Sequence, residues 1–294
     1  MSGFRDPALE RELQFERPLA GPSKRVFGDL TAYLQQPIEE IARAYWAHRR
    51  GEDRDAQARV AKATDPETIN AYYVTTPHYL YELSYWEATG DKQSWFRVLQ
   101  MACKRFGLKR VLDFGGGVGG VSVHLRRHGI ACDHLDIQGR TCDYARWRFK
   151  RHGFPVAIRD AAAPSTWPAG TYDAVVAWDV LEHIFDLEAA VASIGRLLRP
   201  GGLFLSKSSF ANEDSIHCHI HLARHAPYGD VRVLNDMVSR HGFAFRGQLK
   251  PDGVSRLLRD VGFRYTVAGI RVVPRLKHGG NFLVHVRSSP TKER

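Results

Sequence analysis

Between residues 109 and 208, short apolar runs alternate with helical ones, and one stretch, "VLDFGGGVGG" at 111–120, links such a pair through a loop made almost wholly of glycine. No other feature restricts the fold as much. "KRVLDF" predicts a buried strand, "GGVSVHLRRHG" a helix, "ACDHLDI" a strand and "TCDYARWRFKRHG" a second helix. "FPVAIRD", "YDAVVAWD" and "GGLFLSKS" continue the strands, and "LEAAVASIGRLLRPGG" is a helix that stops at Pro200 and the glycines after it. Strands separated by helices pair in parallel. The expected fold is therefore α/β, a mostly parallel sheet with helices on both faces and ligands at the carboxyl ends of its strands.

The flanks read differently. In "DLTAYLQQPIEEIARAYWAHRR" the side chains of Leu30, Leu34, Ile38, Ile41 and Tyr45 fall near helical spacing, and a further helix is expected over 92–106. Residues 1–90 are accordingly read as an N-terminal helical cap or lid, and 91–294 as the α/β domain. Between 72 and 86, Tyr72, Tyr73, Tyr79, Tyr81, Tyr85 and Trp86 crowd together, either as the wall of a site or as core. An insertion after the fifth strand is expected at about 208–250. Near the end, "VSRLLRDVGF" predicts a short amphipathic helix, and "RYTVAGIRVVP" with "GNFLVHVRSS" a closing pair of strands.

Composition excludes several classes. No run approaches the roughly 18–20 apolar residues of a membrane span, and "MSGFRDPALERELQFERP" lacks the apolar core of a secretory signal, so a cytoplasmic location is expected and no membrane partner. Cys103, Cys132, Cys142 and Cys218 contain no C-x-x-C pair, which argues against a zinc ribbon or a disulfide framework. The formal charge of +10 is dispersed along the chain, so it suits an anionic substrate or nucleic acid without identifying either.

The loop itself admits two readings. Gly115, Gly117 and Gly120 satisfy the G-x-G-x-x-G of dinucleotide sites, and Gly115, Gly117 and Gly119 the tighter G-x-G-x-G of loops that bind S-adenosylmethionine. Asp113 favours the second, since a carboxylate two residues before the loop would repel a pyrophosphate but suit an ammonium group. Asp136, at the end of the next strand, fits an acceptor for ribose hydroxyls in either case.

In their joint order, "VLDFGGGVGG", "HLDI", "RDAA", "YDAVVAWDVLEHI" and "LLRPGGLFLS" resemble the seven-stranded, Rossmann-like class I methyltransferases that use S-adenosylmethionine. The resemblance covers 109–207 and resumes at the terminal "LLRDVGF" helix and strand pair. It implies that Asp113 and the backbone of Gly115, Gly117 and Gly119 surround the methionine part, that Asp136 holds the ribose and that Ile137 lies against adenine. It further implies Asp160 as acceptor for the adenine amino group, Ala161 as the adjoining backbone donor, and Trp178 and Asp179 beside the sulfonium. The third consecutive glycine, Gly116, and Phe114 before the loop depart from the pattern.

The acceptor is less legible. The fourth strand ends without the N/D-P-P-Y/F/W loop of base or glutamine amino methylation, and no Pro-Cys pair supports cytosine C5 chemistry. "DVLEH" resembles enzymes acting on small metabolites, where Glu182 and His183 either assist catalysis or orient the following helix. Tyr72 and Tyr73 are placed as a lid, and Lys207, Arg224 and Arg232 are candidates to receive an anionic group. "HCHIHLARH" at 217–225 aligns three imidazoles whether extended (His217, His219, His221) or helical (His217, His221, His225). With Glu213 and Asp214 nearby, these histidines fit a metal, a base or substrate-orienting role, or no catalytic role. The expected function is methyl transfer from S-adenosylmethionine to a small-molecule acceptor, assisted by His217, His219, His221 and Tyr73 and with no metal assigned. RNA methylation and cofactor binding without catalysis are the alternatives.

Overall fold

The computed structural model describes residues 21–49, 54–88, 90–210, 222–249 and 282–288. They fall into two compact units. The first contains α1 (Gly21–Leu34), α2 (Ile38–Arg49), α5 (His78–Ala88) and the larger part of α6 (Gly90–Arg105). The expected helical run is broken between α1 and α2, where Gln35 adopts a left-handed φ of 55° and Pro37 follows. Leu30, Ile41 and Tyr45 are buried as their spacing requires, and Tyr45 stacks on Tyr85 at 4.5 Å between ring centroids.

The second unit holds α3 (Arg54–Ala61), α4 (Pro66–Thr75) and the sheet. The boundary expected at residue 90 is therefore corrected: residues 53–76 belong with the sheet, and the aromatic stretch is divided, Tyr72 and Tyr73 on one side and Tyr79, Tyr81, Tyr85 and Trp86 on the other. Local sequence explains α4. Asp65 accepts the Thr68 amide at 2.7 Å as its N-cap, Pro66 occupies the first helical position, and Pro77 follows the extended Thr76 that ends it.

Seven strands form one sheet in the order β3-β2-β1-β4-β5-β7-β6. They are β1 (Arg110–Phe114), β2 (Ala131–Asp136), β3 (Ile158–Asp160), β4 (Tyr172–Trp178), β5 (Leu198–Lys207), β6 (Phe243–Leu249) and β7 (Phe282–Arg287). β7 runs antiparallel to both neighbours, and the pairings among β1 to β5 are parallel. Helices α7 (Gly120–Arg127), α8 (Arg140–Arg151), α9 (Leu187–Leu197) and α10 (Val231–Arg240) connect them. Leu112, Leu135, Val175, Leu181, Val191 and Ile194 are sealed in the core, each contributing about 1.5–3 kcal/mol by leaving water.

Two expectations concern the C-terminal part. The span 208–250, read as an insertion, supplies α10 and β6, and β6 pairs with β7 along its whole length. The partner foreseen for the last strand, 264–274, lies outside the described residues, as does the helix at 254–263. The edge position of β6 and a register shift between Phe245 and Gly247 explain why "FAFRGQL" lacks the apolar run of a buried strand.

Candidate active site

β1 and β4 are adjacent in the sheet but not in sequence, and the strand order reverses between them, which opens a crevice at their carboxyl ends. The glycine loop lies there. Gly115 has a φ of +67°, and a Cβ on it would stand 2.1 Å from Val180 Cγ2, so no side chain fits between the loop and the segment after β4. Gly116 is constrained from beneath, where a Cβ would lie 2.5 Å from His134 Nδ1 and 2.6 Å from Asp113 Oδ2. The departure at Gly116 is thus a packing requirement. Gly119, also left-handed, is the N-cap of α7, and the Val118 carbonyl accepts a 2.8 Å bond from the buried Arg148 guanidinium of α8.

Asp136 closes the loop from the β2 side. Its Oδ2 accepts the Gly117 amide at 2.5 Å and its Oδ1 the Ile137 amide at 2.7 Å. Burial raises its pKa above the usual carboxylate range, although His134 and these two amides act in the opposite direction. Asp160 is its register partner on β3 and accepts the Ala162 amide at 2.9 Å.

Two expected contacts are redirected. The Ala161 amide donates to the Asp136 carbonyl at 2.9 Å, as parallel pairing at a strand end requires, so it is committed within the sheet edge. Asp113 is only 2% exposed, and its Oδ2 accepts both the amide and the hydroxyl of Ser122, at 3.1 and 2.9 Å. This carboxylate is turned inward, where it fixes the start of α7, and not toward the open side of the loop.

On the β4 side, Trp178 is buried against Phe282 with centroids 5.3 Å apart, and Asp179 follows with a left-handed φ of 51° and its amide on the Lys207 carbonyl at 2.7 Å. Glu182 is fully buried in the next turn and its Oε1 accepts the Ser209 amide at 3.0 Å. Burial, with the Asp179 charge nearby, lifts its pKa to about 7. Its carbonyl accepts from Nδ1 of the buried His225 at 3.2 Å, and burial lowers the His225 pKa, which favours the neutral ring. Glu182 is thus a brace between the turn and the chain after β5.

Tyr73 comes to the same side. Gly139, after β2, approaches Val74 so closely that a Cβ would lie 3.0 Å from the Val74 Cα, which seats the end of α4 by the strand edge. The Tyr73 ring is 5.4 Å from that of His183. Of the cationic candidates, Arg232 pairs with Asp230 at 2.9 Å, Arg224 lies over the Phe185 ring at 4.1 Å, and Lys207 is buried. His217, His219 and His221, with Glu213 and Asp214, lie outside the described residues. His134, Ser122, Arg148 and Ser209 were not foreseen, and His225, expected as one of a row of histidines, braces the Glu182 turn. Only His134 had a readable signal, because it stands two residues before Asp136 and therefore on the same face of β2.

A family model described as a methyltransferase domain matches residues 85–266. The ubiquinone biosynthesis O-methyltransferase of Methylocella silvestris is 35% identical over 98 residues, which are 33% of this chain and 38% of that protein. The sterol 24-C-methyltransferase of Aspergillus fumigatus is 25% identical over 240 residues, 72% of this chain and 63% of that protein. The chain thus spans from 38% to 63% of the length of these two relatives. Among solved structures, the Burkholderia thailandensis 1,6-didemethyltoxoflavin-N1-methyltransferase, determined with 1,6-didemethyltoxoflavin and S-adenosylhomocysteine bound, is 14% identical and superposes with a TM-score of 0.51 over 77% of this chain and 92% of that one. The likeness is one of fold. The family match, by contrast, runs through the glycine loop, Asp136, Asp160 and the Glu182 turn and takes in more than half of the sequence, and on that ground the chain belongs to the class I, Rossmann-like methyltransferase-domain family.

Proposed function

We propose that the chain transfers a methyl group from S-adenosylmethionine to a small-molecule acceptor. The observation that carries this reading is the pair of carboxylates on neighbouring strand ends, Asp136 and Asp160, beside a glycine loop whose Gly117 amide is held by Asp136 at 2.5 Å. A vicinal diol offers two donors to the first carboxylate and an exocyclic amino group one to the second. A nucleoside fits this order of acceptors, and the bare backbone at Gly115, where no side chain fits, suits close approach of its tail. When bound, the cofactor supplies a methyl already activated by sulfonium charge, so alignment and removal of the acceptor proton are what the protein must add.

On that reading Trp178 and Asp179 border the sulfonium end, and Tyr73 with His183 forms the acceptor wall, His183 being the group placed to take up a proton. Glu182 orients this turn from the interior. The names of the relatives, ubiquinone biosynthesis and sterol methylation, support a small organic acceptor. The engagements of Arg224 and Arg232 lend no support to an anionic one. Among the described residues no helix is long and apolar enough to cross a membrane, and Cys103, Cys132 and Cys142 are free thiols, which suits a cytoplasmic location.

Titration calorimetry with S-adenosylhomocysteine and with NAD, followed by product analysis over a panel of phenolic, amine and sterol acceptors, tests the proposal. Saturable binding of the first nucleoside and methylation of one acceptor are expected. Binding of NAD alone overturns the cofactor, and methylation of RNA with steeply salt-dependent binding overturns the acceptor class.

A further inference from the structure

Beneath the glycine loop lies a side chain that the reaction as outlined does not use. His134 is completely buried in the middle of β2. It is the direct register partner of Asp113 on β1, its Nδ1 is 3.8 Å from Asp113 Oδ2, and Asp136 follows two residues later on the same face. Overhead, Gly116 packs so closely that even a methyl group would collide with the imidazole. Phe149 of α8 closes the side with ring centroids 5.5 Å apart, Cys142 of the same helix offers its thiol, and the β3 register partner, Ile158, is apolar. The groups that face His134 are thus two carboxylates, a thiol and hydrocarbon, with no cation among those named.

We propose that His134 is a positioning residue, a buried counter-charge beside Asp113 that favours the ionised form of Asp136 at the glycine loop and so sets how tightly the nucleoside cofactor is held. The inference rests on the cofactor reading above. Its logic is electrostatic: two carboxylates brought below a loop of bare backbone must either protonate or be neutralised from within, and a protonated carboxyl is a poorer acceptor for ribose hydroxyls. Burial alone would strip His134 of its proton, and neither ring nitrogen lies within hydrogen-bond distance of a partner, but the Asp113 carboxylate 3.8 Å away, the nearby Cys142 thiol and the charge of Asp136 outweigh burial and raise the pKa to about 10. The imidazolium therefore persists through the neutral range. Asp113 in turn hands that order on to α7 through the Ser122 amide and hydroxyl.

The test compares S-adenosylhomocysteine binding by wild type and His134→Gln between pH 6 and 8.5, together with nitrogen-15 NMR of the imidazole in the wild-type chain. Wild type should bind with nearly constant affinity. The variant, lacking the counter-charge, should bind about tenfold more weakly at pH 6, corresponding to about one unit of carboxyl shift, and recover as Asp136 ionises. The acceptor KM should not move. Doubly protonated imidazole shifts at pH 8 support the charge even where the variant does not fold, and a neutral tautomer at pH 7 overturns it. A variant whose loss is the same at every pH, or absent, overturns the positioning role. Failure of the wild type to bind at any pH overturns the cofactor reading instead.

Discussion

The two corners of the strand edge are made by different means. At the β1–β2 corner the parts are close in sequence: a strand, a glycine loop and a second strand, with Asp136 bonding Gly117 nineteen positions earlier. At the β4–β5 corner Glu182 reaches Ser209 across 27 positions and His225 across 43. The first corner is fixed by backbone geometry that a short motif specifies. The second depends on side chains delivered by separate segments, so it can change with those segments while the first corner stays fixed.

The largest expected effect lies at the first corner. Gly115→Val places a β-branched side chain at φ +67° and into Val180, and should weaken S-adenosylhomocysteine binding about a hundredfold and cost roughly 2–4 kcal/mol in urea unfolding. Retention of binding would show that backbone does not define this corner. Asp136→Asn keeps the shape and removes the charge, and calorimetry should find a loss of about tenfold to a hundredfold.

The second corner should answer to pH instead. Glu182 has a folded pKa of about 7, above its ordinary 4.5, so its contribution to stability is complete below the ordinary value and is lost as pH rises through 7. Urea unfolding at pH 5 and pH 8 should lose about 2–3 kcal/mol across this window in wild type and less in Glu182→Gln. His183→Ala should raise the acceptor KM or lower kcat about tenfold with cofactor affinity unchanged, which steady-state kinetics on an identified acceptor separates. Away from both corners, Arg146→Ala breaks an exposed pair with Asp143 and should change stability by less than about 0.5 kcal/mol in the same unfolding assay.

The unequal legibility of the molecule has the same origin. β1, α7, β2, α8 and β4 lie within a residue or two of the runs that announce them, because each couples a buried periodicity to its own stop signal. The parallel pairing of the sheet up to β5 follows from the helices that cross between its strands. α10 and β6 were hidden because α10 buries only Leu234, Met237 and Val238 while exposing Val231 and Val233, and β6 is a bulged edge. Within the site, the loop and Asp136 were readable, yet the inward turn of Asp113 was not, since it depends on Ser122 and on a histidine in another strand. The commitment of the Ala161 amide to Asp136 is likewise a matter of register, which spacing alone does not give.

The place of β7 has a consequence in time. Because it lies between β5 and β6, β6 has no partner strand until residues 282–287 have been synthesised. The half of the sheet that carries the glycine loop can assemble as it leaves the ribosome, while the other half carries two unsatisfied strand edges through the remainder of translation. A nascent chain stalled before β7 would thus present a nearly complete glycine-loop corner joined to an aggregation-prone border.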